Sequence, residues 1–236
     1  KAIFLKILYI VAVLFFLHKT GLSQKNNGEV ILKFQYMANG KPLILGDTNY
    51  VNAFSESYAV TRLKFYISNI NLASKDIFLV DVSKEDSIKI PVQPGEYSTL
   101  FFTLGVDSIL NCSGAQDGAL DPMNGMFWTW NSGYIFFKME GYSPSSTADL
   151  NRIEHHIGGY QGANKAARKI ELDLQQPLVV KANQRNEITI RIDLDKYWQG
   201  NSDIRIATNA LIMVPGELAK KSADNFAGMF SAIEIK

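Results

Sequence analysis

The chain has 236 residues, with 24 Lys and Arg against 23 Asp and Glu, a formal net charge of +1, 47% hydrophobic residues and a single cysteine. This balance excludes nucleic acid as the expected partner, because phosphate backbones reward a clustered basic face. One cysteine cannot close an internal disulfide, so stability has to come from a packed core, and the chain is long enough to bury one.

Residues 1–23 read as an export signal: Lys1 and Lys6 open it, an apolar run follows from Ile7 to Leu17, and Thr20 to Ser23 form the exit. The run is about a dozen residues, against the ~20 needed to cross a hydrocarbon core. Cleavage near Ser23-Gln24 is therefore expected in place of a membrane span. A lipid anchor would need a cysteine at that junction, and the cysteine is Cys112, far downstream. The expected product is soluble, unanchored and either periplasmic or secreted. Losing Lys1, Lys6 and Lys19 takes the 24 basic residues to 21 against 23 acidic ones. Residues 24–236 are expected to form one domain.

Along that domain, apolar and polar residues alternate with the period of two that puts every second side chain on one face of a strand. Val30, Leu32, Phe34 and Tyr36 do so first. Leu63, Phe65 and Ile67 follow against Arg62, Lys64 and Tyr66, and Ile188, Ile190, Ile192 and Leu194 against Glu187, Thr189, Arg191 and Asp193. Shorter β-rich runs lie at 77–82, 98–104, 126–139, 169–174 and 204–213, separated by turn signals such as Asn39-Gly40 and Pro94-Gly95. One helical stretch stands out, Glu217 to Met229, with Leu218, Ser222, Phe226 and Phe230 on a shared face. The pattern predicts an all-β fold, an antiparallel two-sheet β-sandwich with long loops and a short C-terminal helix. The longest stretch without a predicted element, 107–125, contains Cys112, and a loop that long in a compact domain is more often functional than idle.

No histidine pair at helical spacing, Cys-x-x-Cys, phosphate-binding glycine loop or nucleophile elbow is present, which favours a binding protein over an enzyme. The densest feature is Gly125 to Tyr134, in which Trp128 and Trp130 share a face if the segment is extended. Two buried rings walling a core is the commoner meaning of such a pair. Downstream, His155 and His156 point to opposite faces of a strand, so one of them at most reaches a given site. Imidazole, thiolate and thioether are donors that copper accepts, and Cys112, Met123 and Met126 lie near the tryptophans in sequence.

Four blocks in order carry a resemblance: Thr61 to Ser68 (Thr-Arg-Leu-Lys-Phe-Tyr-Ile-Ser), Phe102 to Val106, Gly125 to Tyr134 (Gly-Met-Phe-Trp-Thr-Trp-Asn-Ser-Gly-Tyr), and His156-Ile157-Gly158. Together they resemble the MbnP-like, methanobactin-associated copper-binding proteins. The resemblance implies an exported, mostly β protein. It also implies a copper site made from histidine and a tryptophan oxidised to kynurenine by a di-haem partner of the cytochrome c peroxidase type. Carried over, His156 matches the ligand histidine, with His155 beside it, and Trp128 or Trp130 matches the modified residue. One departure stands in Leu110-Asn111-Cys112, where the family pattern has a histidine after Leu-Asn; a thiolate there would favour Cu(I). The competing expectation is a secreted β-sandwich adhesion or carbohydrate-binding module, which needs flat, solvent-facing rings. A Cys112 and His156 enzyme is a third, and requires a thiol activated by a nearby base.

Overall fold

The computed structural model describes residues 27–48, 50–72, 74–84, 87–128 and 133–236; the leader assigned to residues 1–23 lies outside them. The strands in chain order are β1 (Gly28–Ala38), β2 (Lys41–Pro42), β3 (Tyr50–Val51), β4 (Ser57–Ile70), β5 (Ser74–Asp81), β6 (Ser87–Val92) and β7 (Gly95–Leu104). They continue with β8 (Phe127–Trp128), β9 (Gly133–Tyr142), β10 (Arg152–Gly158), β11 (Arg168–Val180), β12 (Arg185–Asp193), β13 (Leu211–Ile212) and β14 (Phe230–Ile235). Among the described residues the α-helical segments are α1 (Ser108–Cys112), α2 (Asp195–Trp198), α3 (Ile206–Asn209) and α4 (Glu217–Ala227).

The strands form two sheets. The first runs β14-β12-β1-β2 with β6 also on β1, and the second runs β11-β7-β4-β9-β10-β13 with β3, β5 and β8 alongside. The alternation read from the sequence sets their inner faces: Val30, Leu32, Ile188, Ile190 and Ile192 are all fully buried. The predicted sandwich is present, and its pairing is antiparallel except for β1 with β12 and β10 with β13, which run parallel. A parallel pair needs a crossover, and between β1 and β12 the connection carries every strand of the second sheet except β13, together with β2 and β6 of the first.

Aromatic rings join the sheets. Phe34 of β1 meets Phe65 of β4 edge-on at 6.2 Å, and Phe230 of β14 meets Phe65 and Phe102 at 5.8 and 5.6 Å. Each such pair adds about 0.5–1.5 kcal/mol beyond the area it buries. The predicted helix is α4, which inserts Phe226 against Phe137 at 4.1 Å and buries Ser222 beside it. It stops at Ala227, so Phe230 reaches the same core from β14 and not from the helical face expected of it.

Two segments depart from the sequence expectation. Tyr66, expected on the outer face of β4, is fully buried because the 107–125 segment covers it: its hydroxyl donates to the Ala119 carbonyl at 3.0 Å and its ring meets Tyr134. That segment has structure of its own, α1 and two 3-10 turns, with Asp107 capping Ile109 and Leu110 N–H. The β-rich run at 204–213 is mostly not strand. Glu56, itself buried, accepts the N–H groups of Ile206 and Ala207 at 2.8 Å each. Those are first-turn donors with no partner inside a helix, so the carboxylate holds α3 in place and leaves Leu211–Ile212 alone to extend beside β10.

Candidate functional site

Of the residues singled out from the sequence, His155 and His156 lie on β10, whose neighbour is β9. These two strands pair antiparallel, with His156 opposite Lys138, His155 opposite Met139 and Gly158 opposite Ile135, after a register shift at Ile157/Gly158. The period of two sends the two histidines in opposite directions, as expected. His155 turns inward and is fully buried beside Tyr197 and Trp198. Its Nε2 lies 2.7 Å from the Asn209 carbonyl and its Nδ1 lies 2.7 Å from the Tyr197 hydroxyl. A carbonyl only accepts, so Nε2 carries the hydrogen; burial holds the ring pKa down to about 4, against the pull of that carbonyl. The ring is therefore neutral and Nδ1 accepts from Tyr197. Both nitrogens of His155 are committed to the fold, and a metal would have to break one of those bonds to use it.

His156 points to the opposite face of β10, into a charged network, and is itself 8% exposed. Its Nε2 lies 2.9 Å from Oε1 of Glu140, whose other oxygen takes Arg62, while Lys138 approaches Oε1 at 3.1 Å. Burial pushes the Glu140 pKa up, but the His156 hydrogen bond and the Lys138 and Arg62 charges overcome it and hold the value at about 2. An ionised carboxylate accepts only, so His156 donates from Nε2. In the neutral ring the lone pair then sits on Nδ1, which makes no hydrogen bond among the described residues. A carboxylate holding one imidazole nitrogen so that the other faces outward is the usual support of a metal-ligating histidine.

Trp128 lies in β8, which pairs with β9 so that Phe127 faces Tyr134 and Trp128 faces Gly133. Its ring is 5% exposed. The ring edge rests on Gly158: a Cβ there would come within 2.8 Å of Cη2 and Cζ3 and within 2.6 Å of the Tyr134 carbonyl. The glycine two residues after His156 is thus the seat of the Trp128 ring. Trp130, the other candidate for modification, lies outside the described residues. Cys112 ends α1 with its side chain exposed. The Tyr160 phenol is its neighbour, and the thiol is the first cause of that phenol's raised pKa. Met126 is fully buried and Met123 is 90% exposed.

The donors fit copper in kind, an imidazole and a thiol, but among the described residues no three His, Cys, Asp or Glu side chains converge on one point. Two residues that the sequence reading passed over do much of the positioning. Glu140 was signalled only by an acid between Met139 and Gly141 in an apolar run. Asn111 was signalled only as the middle of Leu110-Asn111-Cys112. It is buried, and its Oδ1 accepts the Tyr134 N–H at 2.8 Å, tying α1 to the start of β9. A cleft of about 230 Å³ opens above it, between Trp128, Gly133, Tyr160 and Asn164.

The MbnP family model matches residues 27–215. The solved structure of MbnP from Methylosinus trichosporium superposes with a TM-score of 0.54 at 14% identity, covering 89% of this chain and 98% of that one. At that identity the likeness is one of fold. No curated protein matches the chain.

Proposed function

The chain belongs to the MbnP family, and from that premise we propose that it is an exported copper-binding protein, working by binding and not by catalysis. The observation that carries the reading is the contrast between the two histidines: His155 is spent on the core, whereas Glu140 holds His156 by Nε2 and leaves Nδ1 without a partner among the described residues. His156 is the imidazole donor, and Cys112 is a second, soft donor of the sort Cu(I) accepts. Trp128 or Trp130 is the ring converted to kynurenine, by a di-haem partner of the cytochrome c peroxidase type. Copper, when bound, supplies the Lewis-acidic centre; this chain supplies the oriented imidazole and a ring held against Gly158. Residues 1–23 direct the protein out of the cytoplasm and are removed.

Titration of purified protein with Cu(I) against a chromophoric chelator tests the reading. Wild type competes for the metal, and His156→Ala loses that ability while His155→Gln keeps it if still folded. Equal copper uptake by wild type and His156→Ala contradicts the assignment. The alternative, a carbohydrate-stacking module, needs open aromatic faces, and the described tryptophans do not offer them: Trp128 is 5% and Trp198 0% exposed.

A further inference from the structure

We propose that the cleft above Gly133 binds a small neutral molecule that presents a carbonyl-type oxygen on a flat apolar body. This goes beyond the copper reading and does not depend on it. The key group is Asn111, which is 1% exposed. Its amide orientation is fixed, because the atom facing the Tyr134 N–H at 2.8 Å has to be the oxygen. Nδ2 therefore faces the other way, toward Gly133, where a Cβ would lie 3.0 Å from it. Both residues line the cleft, and Nδ2 makes no hydrogen bond among the described residues. An acceptor entering the cleft gives this donor a hydrogen bond, which contributes about 0.5–1.5 kcal/mol.

The remaining lining sets the class of ligand. Trp128 provides an aromatic wall, the Tyr160 hydroxyl and the Gln161 and Asn164 amides stand at the mouth, and no charged side chain is among the described lining residues. A charged ligand would find no counter-charge there. The volume of about 230 Å³ is below the ~300–1,000 Å³ of drug-sized pockets, so the ligand is small. Gly133 is needed for the same reason: a side chain there would fill the space over Nδ2.

The test is a titration of copper-free, isotope-labelled protein followed by nuclear magnetic resonance, with benzamide as the probe and benzylamine as its control. Benzamide has a flat ring and a neutral carbonyl; benzylamine has the ring and a cation with no acceptor. Benzamide should shift the Asn111 side-chain amide and the Trp128 indole resonances saturably, and benzylamine should not. Asn111→Asp keeps the oxygen that holds Tyr134 but replaces the donor, and should weaken benzamide binding about tenfold. Asn164→Trp, at an exposed position on the rim, should block the cleft without touching the fold, and keeps the proposal testable if Asn111→Asp misfolds. No saturable shift with benzamide, equal shifts with benzylamine, or undiminished binding in the folded variants would overturn it. Because copper is absent throughout, the outcome is separate from that of the copper titration.

Discussion

His156 donates its Nε2 hydrogen to Glu140 across 2.9 Å, from one strand to its antiparallel neighbour, and this single bond decides which nitrogen of the ring is left for a ligand. Glu140→Ala should therefore weaken copper binding although the residue itself holds no metal. Loss of a carboxylate behind a ligating histidine typically costs 10–100-fold in affinity, so a drop of about that size is expected. Competition with a Cu(I) chelator measures it, and rescue by Glu140→Gln, whose amide oxygen still accepts from Nε2, separates orientation of the ring from loss of charge.

The buried His155 makes the fold sensitive to mild acid. Its pKa falls from an ordinary 6.5 to about 4 on folding, chiefly because burial disfavours the charged ring. Above pH 6.5 both folded and unfolded chains hold it neutral. As pH drops below that value the unfolded chain takes up the proton first, so stability declines from pH 6.5 down to about 4. Urea midpoints across that range should show the slope, and His155→Leu should remove this contribution. At neutral pH the same variant strands the Tyr197 hydroxyl and Asn209 carbonyl, at about 1–3 kcal/mol each.

Glu140 adds a second acid window with its own sign. Its pKa is lowered from 4.5 to about 2, so its stabilising contribution is complete above 4.5 and disappears as pH falls toward 2. In copper-free protein, Glu140→Gln should flatten the stability curve in that lower window and leave the His155 slope in place.

Gly158→Ala should be costly out of proportion to one methyl group. The added carbon would sit 2.6 Å from the Tyr134 carbonyl and 2.8 Å from two atoms of the Trp128 ring. Overpacking of this kind costs about 1–3 kcal/mol. The readout specific to this contact is Trp128 fluorescence, which should shift as the ring leaves its seat; an unchanged spectrum and midpoint would place the ring elsewhere.

Glu56→Ala should loosen α3 and the β10 edge beside it. The buried carboxylate accepts from Asn52 Nδ2 at 2.6 Å and from Ile206 and Ala207 N–H at 2.8 Å each. Bonds to a charged group contribute about 1.5–3 kcal/mol. Hydrogen exchange at Ile206 and Ala207 should accelerate in the variant before the rest of the protein does.

The sequence made the inner faces legible because alternation is a local signal: Val30, Leu32, Ile188 and Ile190 each face the core as their spacing requires. Tyr66 followed the same pattern and was placed outside, since nothing local announces that Ala119 and Tyr134 will cover it. The parallel pairing of Leu32 with Ile188 was equally hidden, being a choice of neighbour between distant segments. At the site, the opposition of His155 and His156 followed from the strand period alone. Which of the two was spent on the core depended on Tyr197 and Asn209, both more than forty residues away. Asn111, Glu140 and Glu56 were missed because a lone polar residue shows its partners only in three dimensions. Trp130 falls outside the described residues.

The most direct measurement is intact mass together with copper content on protein exported by its native host, wild type against His156→Ala. Copper near one equivalent that is lost in the variant, with a tryptophan peptide at 128 or 130 shifted in mass by oxidation, is the predicted result. Metal-free wild type with both tryptophans unmodified, or copper retained in His156→Ala, would contradict the account.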